Sequence, residues 1–349
     1  MKIVEEYKPL VIENGIKLNG NECFYDIGQD VLGEFFSKLK NIEFNRYPDS
    51  DSNLLKEKYA EYVGVNKENI IVGNGSDEAI DLIISAYIQK GKKVLTLNPD
   101  FSMYDFYVSS NEGELIKLAC NEDGSYSVDD FIALGKKEKV DLIIFSNPNN
   151  PTGFAVEENK IKKILESFKD IIVVVDEAYI EFYGKSVIKE INNYENLLVT
   201  RTLSKAFGGA SLRVGFLVGN ERLIEKLNKF KVPYNVNTLS QTFGEVLIEK
   251  KEKMKFLRDL VIEERERVFI ELKNIEKKIN GKIKFYPSNA NFIFGRGDKL
   301  FIEVFKEKDI SIRNFNNDTF RITIGSREEN DYMLKVLKEC MMPWKEKQL

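Results

Sequence analysis

Short apolar runs alternate along the chain with longer stretches that are apolar on one side only. "NLLKEKYAEYVGV" (53–65) places Leu55, Tyr59 and Tyr62 on one helical face. "NIIVGNGSDEAIDLIISAYI" (69–88) reads as a short strand, a glycine-containing turn and a helix with an apolar face. "KKVLTL", "DLIIFS", "IIVVVD" and "NLLVTR" predict further strands. Several are unbroken apolar runs, the pattern of parallel strands covered on both faces. Helical patterns such as "VDDFIALGKK" and "EENKIKKILESF" separate them. This alternation predicts an α/β fold: a large, doubly wound, mostly parallel sheet domain over 36–238.

The pattern changes after Pro233. Residues 254–279 predict a long amphipathic helix with Leu257, Val261, Val268 and Leu272 on one side. Strand-like "NFIFG", helix-like "DKLFIEVFKEK", strand-like "ISIRNF" and "FRITIG", and a last helix in "REENDYMLKVLKECM" follow. A smaller α+β domain is expected over 239–349, with 1–35 as an N-terminal arm. No internal repeat, low-complexity tract or flexible linker interrupts the pattern.

Composition narrows the chemistry. The 349 residues include 52 basic and 56 acidic side chains, with no dense basic stripe for a nucleic-acid backbone. Three dispersed cysteines, Cys23, Cys120 and Cys340, suit a reducing cytoplasm better than a disulfide framework. "MKIVEEYKPL" lacks the apolar core of a signal peptide, and no run approaches membrane-spanning length. Histidine is absent. That excludes Ser-His-Asp and Cys-His hydrolysis and histidine-ligated zinc, and no metal site is expected.

Polar clusters fall at the carboxyl ends of the expected strands, where ligands of open α/β sheets collect. "GNGSDE" (73–78) opens a helix, so its backbone N–H groups suit a phosphate; a plain capped turn explains it equally. It is no dinucleotide fingerprint, because Glu78 stands where the third glycine belongs. "SNPNNPTG" (146–153) is a turn-rich loop whose paired asparagines can aim amides into a crevice. Asp176 ends the most apolar strand and is either a helix N-cap or the partner of a cation. Lys205 lies in an apolar, small-residue stretch that looks buried, where an amine is costly unless paired or put to use as a nucleophile. A salt bridge to Asp176 is the plain explanation, but it leaves Ser76, Ser204 and Arg213, a phosphate-type set, without a task. Together the clusters ask for a phosphate, an aldehyde that condenses with lysine, and a ring nitrogen that wants a carboxylate. Pyridoxal 5′-phosphate has all three.

"SNPNNPTG", "VVVDEAYIEF" and "RTLSKAFGGASLRVGF" resemble motifs of the class I/II aminotransferases, fold type I pyridoxal-phosphate enzymes. "IKLNGNE" (16–22), "NRYPD" (45–49), "VPYNVNTLSQ" (232–241) and "FRITIGSREEN" (320–330) look like those of the branch acting on histidinol phosphate. The resemblance implies amino transfer from histidinol phosphate to 2-oxoglutarate in histidine biosynthesis, by a ping-pong mechanism in the cytoplasm. It implies that Lys205 binds the cofactor and shuttles the substrate proton, and that Asp176 pairs with the ring nitrogen. Tyr179 and Asn150 would bond the phenolic oxygen, and Phe101 would stack on the ring. Gly75, Ser76, Asp77, Ser204 and Arg213 would hold the phosphate. Tyr47 would reach the phosphate of a partner subunit, making a homodimer with shared sites. Arg313 and Arg321 would bind the substrate's anionic end, and Asn21 would cover the site. Asp100 departs from the family pattern, standing where a threonine is usual.

Overall fold

The unbroken apolar runs become strands whose two faces are both covered. The computed structural model describes residues 15–279, 282–297, 299–315 and 318–340. The opening segment read above for a signal peptide, and the Cys340 side chain, lie outside the described residues. In chain order the strands are β1 (Ile16–Leu18), β2 (Ile70–Asn74), β3 (Lys93–Asn98), β4 (Glu114–Ala119), β5 (Leu142–Ser146) and β6 (Ile172–Asp176). They continue with β7 (Leu197–Thr202), β8 (Val214–Gly219), β9 (Lys284–Tyr286), β10 (Phe292–Arg296), β11 (Ile310–Phe315) and β12 (Thr319–Thr323).

Seven strands form one sheet in the order β2-β8-β7-β6-β5-β3-β4. Neighbours are parallel except at β8, which is antiparallel to both β2 and β7. Alternate residues of the central strands feed two separate cores. Ile143, Phe145, Val173, Val175, Leu197 and Val199 enter one, and Leu142, Ile144, Val174 and Leu198 the other. That double burial explains the unbroken apolar pattern. Edge strand β4 is nowhere fully buried, and its exposed Lys117 pairs with Asp105.

The second sheet has the order β1-β11-β12-β10-β9. Its first strand comes from near the start of the chain, pairing Ile16–Leu18 in parallel with 310–312 of β11. The long helix Lys251–Lys278 buries Met254, Leu257, Val261, Val268 and Leu272, as its periodicity predicts. On the same helix, the buried Glu264 accepts from Arg267, Arg327 and Asn330.

Candidate active site

The carboxyl ends of β2, β3, β5, β6 and β7 lie along one edge of the large sheet and carry the polar clusters. Asp176 ends β6 opposite Thr200 of β7 and Ser146 of β5. It is 3% exposed, and its carboxylate accepts from Tyr104 Oη (2.9 Å), Thr200 Oγ1 (2.9 Å) and the Ala178 N–H (3.2 Å). Desolvation raises its pKa to about 6, against the lowering effect of those donors. No cation of the described chain is paired with it. The salt bridge to Lys205 is therefore absent, and capping is a minor part of what holds the carboxylate. A buried carboxylate with hydroxyl and amide donors is ready for a cationic ligand group.

Lys205 follows β7. Its neighbours Ser204 and Ala206 are buried, but the lysine itself is only half-buried, which corrects the expectation from the apolar stretch around it. Backbone flanked by buried side chains can still face a crevice. Lys205 Nζ donates to the Gly20 carbonyl (3.2 Å) and lies 5.7 Å from the Tyr179 ring centroid. Tyr179 is 4% exposed, sits edge-on to Phe292, and accepts from Asn21 Nδ2 at 2.9 Å.

At the end of β2 the helix Gly75–Tyr87 begins without a side-chain cap, whereas Ser127, Asn220 and Asn237 cap three other helices. The Asn74 side chain is diverted to the Asn235 carbonyl. The first N–H groups of this helix thus face the crevice with Ser204 and Arg213 nearby. Arg213 donates to Asp77 (3.0 Å) and Ser204 Oγ (3.4 Å). A Cβ on Gly75 (φ +77°) would meet the Arg213 guanidinium at 2.8 Å, and one on Gly215 would meet the Gly75 carbonyl carbon at 2.2 Å. Glycine at both positions leaves an N–H and guanidinium cradle of the kind that holds phosphate. The Asp77 carboxylate is tied to Arg213, so its share in such a site is the backbone N–H.

The two asparagines of the β5 loop separate in role. Asn149 is buried and structural, accepting from the backbone N–H and hydroxyl of Thr152. Asn150 is half-buried and accepts from Arg321, which also donates to the Asn19 carbonyl (2.9 Å). Arg313 lies directly opposite Arg321 on the β11–β12 ladder. Phe101 is half-buried and edge-on to Tyr104. Asp100 accepts from the Phe101 N–H (2.8 Å) and from Ser146 Oγ. Desolvation raises its pKa to about 7, and the nearby Asp176 adds to the rise. Tyr47 stands apart from these groups, 82% exposed and stacked on Tyr234 with ring centroids 4.8 Å apart.

Sequence reasoning missed Tyr104, Thr200 and Asn291, which reach the site only through the fold. Tyr104 had a signal, lying three residues after Phe101 at helical spacing.

The carboxylate, the amine and the phosphate cradle on one sheet edge fit the donor set that pyridoxal 5′-phosphate requires. The chain matches the family Aminotransferase class I and II over residues 13–337 and belongs to it. Pyridoxal 5′-phosphate is the cofactor of that family's fold. The histidinol-phosphate aminotransferase of Clostridium novyi (strain NT) is 41% identical over 336 residues, 95% of this chain and 93% of its own. Among solved structures, the histidinol-phosphate aminotransferase of Clostridium acetobutylicum superposes with a TM-score of 0.84 at 24% identity, covering 93% of this chain and 98% of its own. The Sinorhizobium meliloti enzyme, in complex with pyridoxal 5′-phosphate, gives 0.83 at 19% identity, covering 93% and 91%. These two likenesses concern the fold.

Proposed function

We propose that this aminotransferase moves the amino group of histidinol phosphate to 2-oxoglutarate, yielding imidazole-acetol phosphate and glutamate in histidine biosynthesis. The full-length likeness to relatives of that name carries the reading, and the site chemistry supports it. Arg313 and Arg321 lie directly opposite one another on the β11–β12 ladder, which brings two guanidinium side chains to one face of that sheet. Such a pair suits a substrate phosphate in one half-reaction and a carboxylate of 2-oxoglutarate in the other.

Bound pyridoxal 5′-phosphate supplies an electron sink beside the amine-bearing carbon. The chain's own groups do the rest. Lys205 Nζ carries the proton, held toward the crevice by the Gly20 carbonyl and the Tyr179 ring. Asp176 would hold a positively charged ring nitrogen, a pairing that offsets the desolvation of its buried carboxylate. Tyr179 and the Asn150 amide would donate to the phenolic oxygen, and Phe101 would cover the ring. Gly75, Ser76, Asp77, Ser204 and Arg213 would hold the phosphate.

The functional unit in this reading is a cytoplasmic homodimer. Exposed Phe44, Tyr47, Phe230, Val232 and Tyr234 give each subunit an apolar surface, from which Tyr47 reaches the partner's cofactor. No helix among the described residues is long and apolar enough to cross a membrane. The lobes are 36–238 and, with the arm 1–35, 239–349.

The test is glutamate formation from 2-oxoglutarate with histidinol phosphate or phenylalanine as donor. Histidinol phosphate should lead in kcat/KM by on the order of 100-fold, as expected when a site's polar groups go unsatisfied by the wrong substrate. Equal or faster turnover of phenylalanine, or carbon dioxide release from a phospho-amino acid, would replace this reading with another.

A further inference from the structure

We infer that Asn21 is a positioning residue whose side-chain amide directs the Tyr179 hydroxyl proton into the active site and links that proton to the small sheet. The inference rests on the reading that Tyr179 donates to the cofactor's phenolic oxygen.

Asn21 is 1% exposed and holds a left-handed backbone, φ +53°, with Gly20 directly before it. Few residues accept that conformation, and asparagine is one of them. Each of its polar groups is engaged. The Asn21 N–H donates to Thr323 Oγ1 (3.0 Å), and its carbonyl accepts from Asn291 Nδ2 (3.0 Å). The Thr323 hydroxyl, accepting from that N–H, sends its own hydrogen to Asn21 Oδ1 (3.0 Å). In this arrangement Oδ1 faces Thr323, and Nδ2 donates to Tyr179 Oη (2.9 Å).

The consequence falls on Tyr179. Its oxygen receives the amide hydrogen, so the phenol hydrogen must point elsewhere, and the Lys205 side of the ring is where the crevice lies. A hydroxyl that accepts one hydrogen bond also becomes a stronger donor in the next. Thr323 ends β12, and Asn291 immediately precedes β10, whereas Tyr179 follows β6. The Asn21 side chain thus carries a hydrogen-bond chain from one sheet to the reacting edge of the other.

The test uses holoenzymes carrying Asn21→Gly, Asn21→Asp, Tyr179→Phe, and Asn21→Gly combined with Tyr179→Phe. Glycine keeps the left-handed backbone and removes only the side chain. Two quantities are measured: the pH midpoint of the bound cofactor's visible absorbance, and the melting temperature of the cofactor-free protein. Asn21→Gly should move the absorbance midpoint upward by roughly half a pH unit, because a weaker donor stabilises the deprotonated form less. Asn21→Asp should move it further, since a carboxylate accepts the Tyr179 proton for itself. In the Tyr179→Phe background, Asn21→Gly should add no shift. A change in melting temperature with an unmoved midpoint overturns the inference and leaves Asn21 a structural cap. If Asn21→Gly does not fold, the midpoint of Asn21→Asp decides in the same way. If Tyr179→Phe itself leaves the midpoint unmoved, the role of Tyr179 fails and the inference falls with it; if only the Asn21 variants are silent, the inference alone falls.

Discussion

Replacing Asp176 by asparagine should stabilise the cofactor-free protein near neutral pH while disabling the enzyme. Burial raises the Asp176 pKa from the ordinary 3.8 to about 6. Between those values the folded carboxyl keeps a proton that the unfolded one has lost. The folded state then binds more protons, so stability falls as pH rises through the window and the loss is complete above pH 6. The displacement amounts to about 3 kcal/mol. Asparagine removes the charge and keeps the shape. Its Oδ1 can accept from Thr200 and the Ala178 N–H, while its Nδ2 donates to Tyr104 Oη after the phenol rotates. Allowing for imperfect repair, the gain at pH 7.5 should be about 1–3 kcal/mol, shrinking toward zero near pH 4. Urea unfolding of both cofactor-free proteins across that range measures it. With cofactor the order should reverse, because the variant offers no charge to the ring nitrogen, and turnover should fall by orders of magnitude. A variant that is destabilised equally at every pH would refute the reasoning, since Asp176 would then be a structural hydrogen-bonding residue and not a buried charge awaiting a cation.

Lys205→Ala should abolish turnover and the visible band of lysine-bound cofactor while leaving the melting temperature of the cofactor-free protein nearly unchanged, because the variant loses the amine that binds the cofactor and little of the packing. Mixing Lys205→Ala subunits with Tyr47→Phe subunits should raise cofactor-limited activity above either parent, because one site in each mixed dimer regains both native groups; no recovery after subunit exchange would place Tyr47 within its own site. Arg201→Met should destabilise by about 3–5 kcal/mol in urea unfolding, since it leaves the fully buried Glu177 and its neighbour Glu181 without their shared guanidinium.

Strand existence was legible where burial on both faces wrote an unbroken apolar run, as in β5, β6 and β7. β8 was not, because "VGFLVG" lies inside a stretch whose chemistry drew attention to Lys205 and Arg213, and glycine weakens a strand signal. β1 was illegible for a different reason: three residues gain strand character only by pairing with β11, far away in sequence. Gly75, Asp176, Asn150 and Lys205 were visible because each follows or ends a strand at its carboxyl end, a one-dimensional signal, whereas Arg213 precedes β8 and Tyr47 follows no strand. The groups that tune them were not. Thr200 reaches Asp176 only through the β6–β7 register, and Tyr104 only because the helix Met103–Ser110 packs behind it. Paired asparagines at 149 and 150 look alike in sequence, and the loop alone decides that one braces the turn and the other faces Arg321.

The parallel pairing of β1 with β11 also bears on how the enzyme is made. During vectorial synthesis, residues 16–18 emerge from the ribosome long before 310–312, with which they pair in the sheet. The large sheet has all seven of its strands by residue 219, while β11, which pairs with the arm, and Arg321, which donates to the Asn19 carbonyl, are still to come. Those contacts close last, after a very long loop has been bridged. The strand-end residues Gly75, Ser204 and Arg213 are therefore assembled on the large sheet before the chain segment that docks the arm has been made.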